Sequence, residues 1–227
     1  METWQGPATM AGMQPSLSVV ELFLSIQGEG SRAGLPCTII RLSGCNLRCR
    51  WCDTAYAWSG GESTTIDEAI RRVGQLRCRL VEVTGGEPLA QPGSLELLRR
   101  LCDEGHQTLL ETNGSIDISP VDRRVVRIVD FKCPSSGQDA RNRWENVPHL
   151  GGSDEVKFVL GDWNDYNFAK QAVAAHGLTE RCPVIFSPVF GLLAPRQLAE
   201  WILADGLDVR LGLQLHKIIW PEKQRGV

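Results

Sequence analysis

The sequence predicts an α/β protein whose parallel strands and crossover helices close only part of a TIM-type barrel. Three observations carry this. Strand-like apolar runs alternate with helical patterns along most of the 227 residues. The strand–helix pairs fall short of a complete eightfold barrel of typical length. A polar motif follows nearly every strand-like run, at the strand ends where loops converge in such sheets.

Residues 1–15 are rich in Gly, Pro, Met and small side chains without apolar periodicity, and read as a flexible N-terminal extension to one domain at 16–227. Strand-like runs follow at 18–26 (SVVELFLSI), 37–43 (CTIIRLS), 80–84 (LVEVT), 107–112 (QTLLET), 125–131 (VVRIVDF), 155–160 (EVKFVL), 183–187 (PVIFS) and 209–215 (VRLGLQL). Between them lie helical patterns. Residues 65–77 place Ile66, Ile70, Val73 and Leu76 on one face. Residues 94–105 open with a serine in a capping position and stop at a glycine. The pattern at 164–176 ends at Gly177, and 195–205 opens with a proline in its first turn. The strand-end motifs are SGC, TGGEP, ETNG, KCPSSG, SPVF and QLHK, and their recurrence points to an enzyme.

Composition narrows the class. Hydrophobic residues at 42% and charged residues at 22% are those of an ordinary globular protein. A net charge of -3 gives no electrostatic reason to expect nucleic acid as a partner. No apolar run has the length of a membrane span and no basic-then-apolar signal opens the chain, so a cytoplasmic protein is expected. In that compartment eight cysteines are not a disulfide framework. Cys37, Cys78, Cys102, Cys133 and Cys182 read as small buried hydrophobes.

Cys45, Cys49 and Cys52 stand apart, spaced C-x3-C-x2-C in a loop after a strand-like run. A four-iron, four-sulfur cluster normally takes four thiolates, so three leave one iron open to a small molecule. The competing readings are a zinc site completed by Cys37 or a histidine, and three buried thiols. Arg48 and Arg50 make the stretch too polar for a core strand, and no second C-x2-C half follows for zinc.

The triad, with Trp51 before its last cysteine, and the downstream TGGEP (84–88) resemble the radical S-adenosylmethionine superfamily. The resemblance implies that the open iron chelates S-adenosylmethionine, whose cleavage yields a 5′-deoxyadenosyl radical, and that Gly85 and Gly86 let the backbone approach this ligand. Within the superfamily, FLSIQGEG (23–30), RLSGC (41–45), WCDT (51–54) and QLHK (214–217) resemble the 7-carboxy-7-deazaguanine synthase family, over nearly the whole chain from about Val19 to Pro221. That likeness implies conversion of 6-carboxy-5,6,7,8-tetrahydropterin to 7-carboxy-7-deazaguanine with loss of ammonia, in queuosine and 7-deazapurine biosynthesis. It also implies a partial barrel with fewer helices, a homodimer, and an electron donor such as flavodoxin or ferredoxin.

Carried over residue by residue, the resemblance assigns Cys45, Cys49 and Cys52 to the cluster and Thr54 to a magnesium ion. Trp51, Cys52, Asp53, Gly86, Lys132, Cys133, Pro134, Ser187, Pro188, Val189 and Phe190 are assigned to S-adenosylmethionine. Ile26, Gln27, Gly28, Glu29, Arg41, Thr84 and His216 are assigned to the pterin, with Arg41 on its carboxylate, where a planar guanidinium makes two parallel bonds. The competing readings are an outward-facing Arg41, a helix-capping Thr54 and a merely satisfied His216. For the whole protein they are a glycyl-radical activase, or a non-catalytic iron–sulfur or zinc protein. KCPSSG departs from the Ser-Pro-Lys pattern of better-known members, and the chain continues past Pro221 with EKQRGV.

Overall fold

The computed structural model describes residues 16–227, and the extension expected at 1–15 lies outside the described residues. Strands form at β1 (Ser16–Ile26), β2 (Pro36–Leu42), β3 (Glu62–Thr65), β4 (Leu80–Gly85), β5 (Gln107–Thr112), β6 (Val126–Phe131), β7 (Glu155–Leu160), β8 (Val184–Pro188) and β9 (Arg210–Leu211). They make one sheet in the order β3-β1-β2-β4-β5-β6-β7-β8-β9. Helices α1 (Ile66–Leu76), α2 (Gly93–Asp103), α3 (Trp163–His176) and α4 (Pro195–Asp205) occupy the expected intervals, with a short α5 at Leu215–Ile219.

From β2 to β9 every strand pair is parallel, but β1 pairs antiparallel with both β2 and β3. This corrects the all-parallel expectation. Residues 27–35 join β1 to β2, fewer than the dozen or so that a parallel crossover needs. Strand β3 (ESTT) was not expected, because only Thr64 among its four residues is buried. A second correction falls at 209–215, where strand pairing ends after Leu211 and Leu215 already begins α5.

Helix ends follow local chemistry. Thr65 Oγ1 accepts the Glu68 amide to cap α1, and Asp162 Oδ1 accepts the Asp165 amide at 2.9 Å to cap α3. Gly177 and Gly206 end α3 and α4 in left-handed conformations. Ser94 does not cap α2: the helix begins at Gly93 after Pro92, and the serine lies inside it, buried. The crossover from β5 to β6 contains no helix of any kind, and that from β6 to β7 only 3-10 turns such as Pro134–Ser136 and Trp144–His149. Asn146 does a helix's work for the first of these. Its amide nitrogen donates to the Gly114 and Ile116 carbonyls and its oxygen accepts the Ile118 amide.

Side-chain alternation divides the sheet into two faces. Ile40, Leu42, Val81, Val83, Leu110, Val129, Phe131, Val156, Phe158 and Phe186 join the helices in the main core. The inner face is layered. Cys37, Ile39, Leu80, Leu109 and Ile128 form an apolar floor near the strand beginnings, and polar residues follow toward the C-terminal ends. Of the five scattered cysteines, Cys37, Cys133 and Cys182 are buried, while Cys78 and Cys102 are partly exposed. Cys37 sits at the far end of β2 from the cysteine loop, within the apolar floor, and is no fourth ligand for it.

Candidate active site

The C-terminal strand ends surround a cavity of about 640 Å³, lined by Cys45, Cys49 and Cys52 together. Their loop is stitched to the neighbouring TGGEP turn. The Gly86 amide donates to the Leu42 carbonyl, the Glu87 amide to the Gly44 carbonyl, and the Gly44 amide to the Ala57 carbonyl. A β-carbon on Gly86 would stand 2.0 Å from the Gly44 oxygen, and one on Gly85 2.1 Å from the Leu42 oxygen. These glycines are therefore required first by the close approach of two backbones, and Gly86 then also lines the cavity. Glu87, wholly buried, accepts from the Leu89 and Asn113 amides and the Thr112 hydroxyl, tying the end of β4 to that of β5.

Trp51 Nε1 donates to Ser135 Oγ at 3.0 Å, and Arg50 N to the Ser136 carbonyl, so the cysteine loop is also held from the β6 side. Burial pushes the Cys49 thiol up to about 11, opposed by the nearby Lys132 ammonium. Three thiolates facing one cavity suit an iron–sulfur cluster with an open iron. Among the described residues no three His, Cys, Asp or Glu side chains, the cysteine triad included, are placed to hold a single ion.

Above the apolar floor stands a ring of charge that the sequence reading did not single out: Glu82 (β4), Glu111 (β5), Asp130 (β6) and Lys157 (β7). Lys157 Nζ pairs with Glu111 at 2.8 Å and with Glu29, and Lys132 with Asp130 at 2.8 Å. Thr84 Oγ1 donates to Glu111 at 3.0 Å. Burial alone would raise Glu111, but the Lys157 ammonium outweighs it and holds this carboxyl below its ordinary value. Glu82 makes no ion pair among the described residues, and burial together with the Glu111 charge pushes it up to about 8 against the Gln27 hydrogen bond and the more distant Arg41 charge. Asp130 Oδ1 is buried with no hydrogen-bond partner among the described residues.

The remaining wall comes from the QGEG loop and the QLHK segment, which meet. The Leu215 amide donates to the Gly28 carbonyl at 2.9 Å, and Gln214 Nε2 to Glu29 Oε1 at 2.9 Å. A β-carbon on Gly28 would come within 2.3 Å of His216 Nδ1, so this glycine is what lets the imidazole pack there. Burial keeps His216 below its ordinary pKa, which leaves the ring neutral near pH 7. Lys217 Nζ pairs with Asp53 at 2.6 Å and lies over the Phe190 ring. Beyond Pro221 the chain runs back to the cavity. The Gly226 amide donates to Glu21, Arg225 stacks on Tyr56 at 4.3 Å, and Val227 joins the lining.

All seven residues assigned to the pterin line this cavity: Ile26, Gln27, Gly28, Glu29, Arg41, Thr84 and His216. So do Thr54 and, from the S-adenosylmethionine set, Trp51, Cys52, Asp53, Gly86, Lys132, Val189 and Phe190. Cys133 is packed in the main core, and neither it nor Pro134, Ser187 or Pro188 is part of the lining. Arg41 faces inward, with its Nε 3.3 Å from Glu21, its partner on β1. Thr54 precedes a 3-10 turn at Ala55–Ala57, yet its side chain makes no capping hydrogen bond.

A cysteine triad and a glycine turn at the C-terminal mouth of a mostly parallel, unclosed sheet define the radical S-adenosylmethionine class, and the profile of the radical SAM superfamily matches residues 39–132. The chain is 49% identical over 214 residues to the 7-carboxy-7-deazaguanine synthase of Chlorobaculum tepidum, covering 93% of this chain and 97% of the relative. It is 44% identical over 226 residues to that of Koribacter versatilis, covering 93% and 100%. The crystal structure of QueE from Escherichia coli superposes with a TM-score of 0.69 at 22% identity, covering 88% of this chain and 94% of that one, a likeness of fold. The chain belongs to the 7-carboxy-7-deazaguanine synthase family.

Proposed function

We propose that this site converts 6-carboxy-5,6,7,8-tetrahydropterin to 7-carboxy-7-deazaguanine with loss of ammonia, a step toward queuosine and related deazapurines. The observation that supports it best is one cavity bringing together the cysteine triad, Arg41 and a ring of buried charge. Cys45, Cys49 and Cys52 would hold a four-iron cluster, beside S-adenosylmethionine on the cavity-lining set from Trp51 to Phe190. When bound, these two supply the radical that begins the rearrangement. Arg41 would take the pterin carboxylate, and the orphaned Asp130 Oδ1 suits an N–H donor of the ring. A glycyl-radical activase shares the triad and glycine turn but leaves QGEG and WCDT without a role. Anaerobic cluster reconstitution followed by an assay with the carboxypterin tests the reading, and a reconstituted protein that leaves this substrate unchanged would refute it.

Two substitutions test individual roles. Arg41→Lys keeps the charge but loses the fork, so carboxypterin affinity should fall about tenfold or more while S-adenosylmethionine binding survives. Equal substrate affinity would remove Arg41 from the site. Thr54 would give a magnesium ion one protein oxygen, with substrate and water supplying the rest. Because its hydroxyl caps nothing, Thr54→Ala should raise the magnesium needed for turnover with little change in melting temperature, and Thr54→Ser should restore it. Superimposable magnesium titrations would end that assignment.

The wider setting follows the same reading. The described residues share one sheet, in keeping with a single domain at 16–227 after an extension at 1–15. None of their helices is long and apolar enough to cross a membrane, and the proposed setting is the cytoplasm. Exposed Leu211, Leu213, Ile218 and Ile219 near the β9 edge suit a homodimer contact. Arg48 and Arg50, exposed on the cysteine loop, suit an acidic donor such as flavodoxin or ferredoxin.

A further inference from the structure

On the inner face of β4, Glu82 follows Leu80, two residues on and so on the same side of the sheet. The floor around it is built from Leu80, Ile39, Leu109 and Ile128, and another apolar side chain at 82 would satisfy the fold. A carboxyl group stands there instead, 5% exposed. Among the described residues it pairs with no cation, and its hydrogen bond comes from Gln27 Nε2. Burying a carboxyl on these terms costs stability, and its position near pH 8 keeps it largely protonated in neutral solution.

Gln27 carries the consequence into the loop. Its Oε1 accepts the Glu29 amide at 3.1 Å while its Nε2 faces Glu82, so the side-chain amide has one orientation. Its backbone closes the same turn, the amide donating to the Leu35 carbonyl at 2.8 Å and the carbonyl accepting from Gly34 at 2.8 Å. Residues 27–29 are thereby pinned between β4 and the hairpin. From this pinned turn Glu29 reaches Lys157, and Gly28 receives the Leu215 amide.

We propose that Glu82 is a positioning residue for substrate binding, acting through Gln27 to hold residues 26–29 in the arrangement that meets the pterin. The proposal rests on the reading of substrate given above. Without the acceptor at 82, the Gln27 amide is free to turn, and binding must then order the loop. That cost falls on substrate affinity rather than on the chemical step.

The test is a double-mutant cycle on the reconstituted enzyme, read by the KM for carboxypterin, kcat, S-adenosylmethionine binding and iron content. Glu82→Leu should raise KM about tenfold with kcat changed less than about threefold, and with cofactor binding and iron content unmoved. Gln27→Ala, which removes a pterin-facing side chain as well, should raise KM at least as much. The double variant should be no worse than Gln27→Ala alone, because Glu82 acts only through the connection already broken. Glu82→Gln, which keeps an acceptor oxygen in place, should recover most of the loss. Additive effects in the double variant would show that Glu82 acts independently of Gln27 and overturn the proposal. If Glu82→Leu does not fold, an unchanged KM in Gln27→Ala overturns it equally.

Hydrogen exchange in the substrate-free protein separates this proposal from the reading of substrate. Faster exchange of the Gln27 and Gly34 amides in Glu82→Leu, reversed in Glu82→Gln, supports the positioning role whatever the substrate. Unchanged exchange overturns it even where the carboxypterin is turned over.

Discussion

Cys49→Ala is expected to abolish turnover and to lower bound iron and sulfide after reconstitution, with Cys45→Ala and Cys52→Ala behaving alike. The reason is stoichiometric: the loop offers three thiolates, and a cluster that already leaves one iron open does not tolerate the loss of a second protein ligand. The effect is specific to the cavity. Cys102, half-buried on α2 against the main core, should cost at most about 1 kcal/mol of stability as alanine and leave iron content alone. Iron and labile-sulfide analysis beside a turnover assay decides the matter. A Cys49→Ala protein with full iron content and activity would remove the triad from the cluster.

Lys157→Met should destabilise the fold by about 1–3 kcal/mol, the cost of leaving two partly buried carboxylates without their cation. Lys157 is 6% exposed and sits between Glu111 and Glu29; burial opposes its charge, but Glu111, Glu29 and Asp130 together hold its pKa well above the ordinary value. The pH dependence gives this substitution a signature. In the wild type Glu111 lies below its unfolded pKa, so its contribution is present above that value and is lost as pH falls through the folded one. Without Lys157 the sign reverses. Carboxyl groups stranded by the substitution bind protons more tightly folded than unfolded, so stability should fall as pH rises from about 4 upward. Denaturant melts at pH 5 and pH 8 check this. A variant as stable at pH 8 as at pH 5, and within 1 kcal/mol of wild type, would show that the ring does not depend on its lysine.

The strand positions and the cysteine loop were legible because both are local. Period-two runs such as QTLLET and EVKFVL carry their own signal, as do a Pro at the start of α4 and a Gly at the end of α3. The antiparallel β1–β2 pair was not read from the sequence, although the connection between these strands is too short for a parallel crossover. What misled was local chemistry without its context. Ser94 has the residue type of a cap, but Pro92 and Gly93 start α2 before it. VRLGLQL has strand periodicity, yet only Arg210 and Leu211 find a neighbour in β8.

The charged ring shows the same division. Each member left a trace in its own strand, a Glu, Asp or Lys at the inward position of LVEVT, QTLLET, VVRIVDF and EVKFVL. One charge in an apolar run is ambiguous, and only the parallel register of β4 to β7 turns four of them toward one cavity. The sequence by itself determined the strand periodicity, the spacing of the three thiols and the order of the motifs, because these are relations between residues near each other in the chain. Tertiary structure alone decided that Gly86 faces the Gly44 backbone, that Gly28 makes room for His216, and that Lys157 joins Glu29 to Glu111. Those contacts join residues far apart in sequence, and their energies depend on burial and distance, which no single segment of the chain contains.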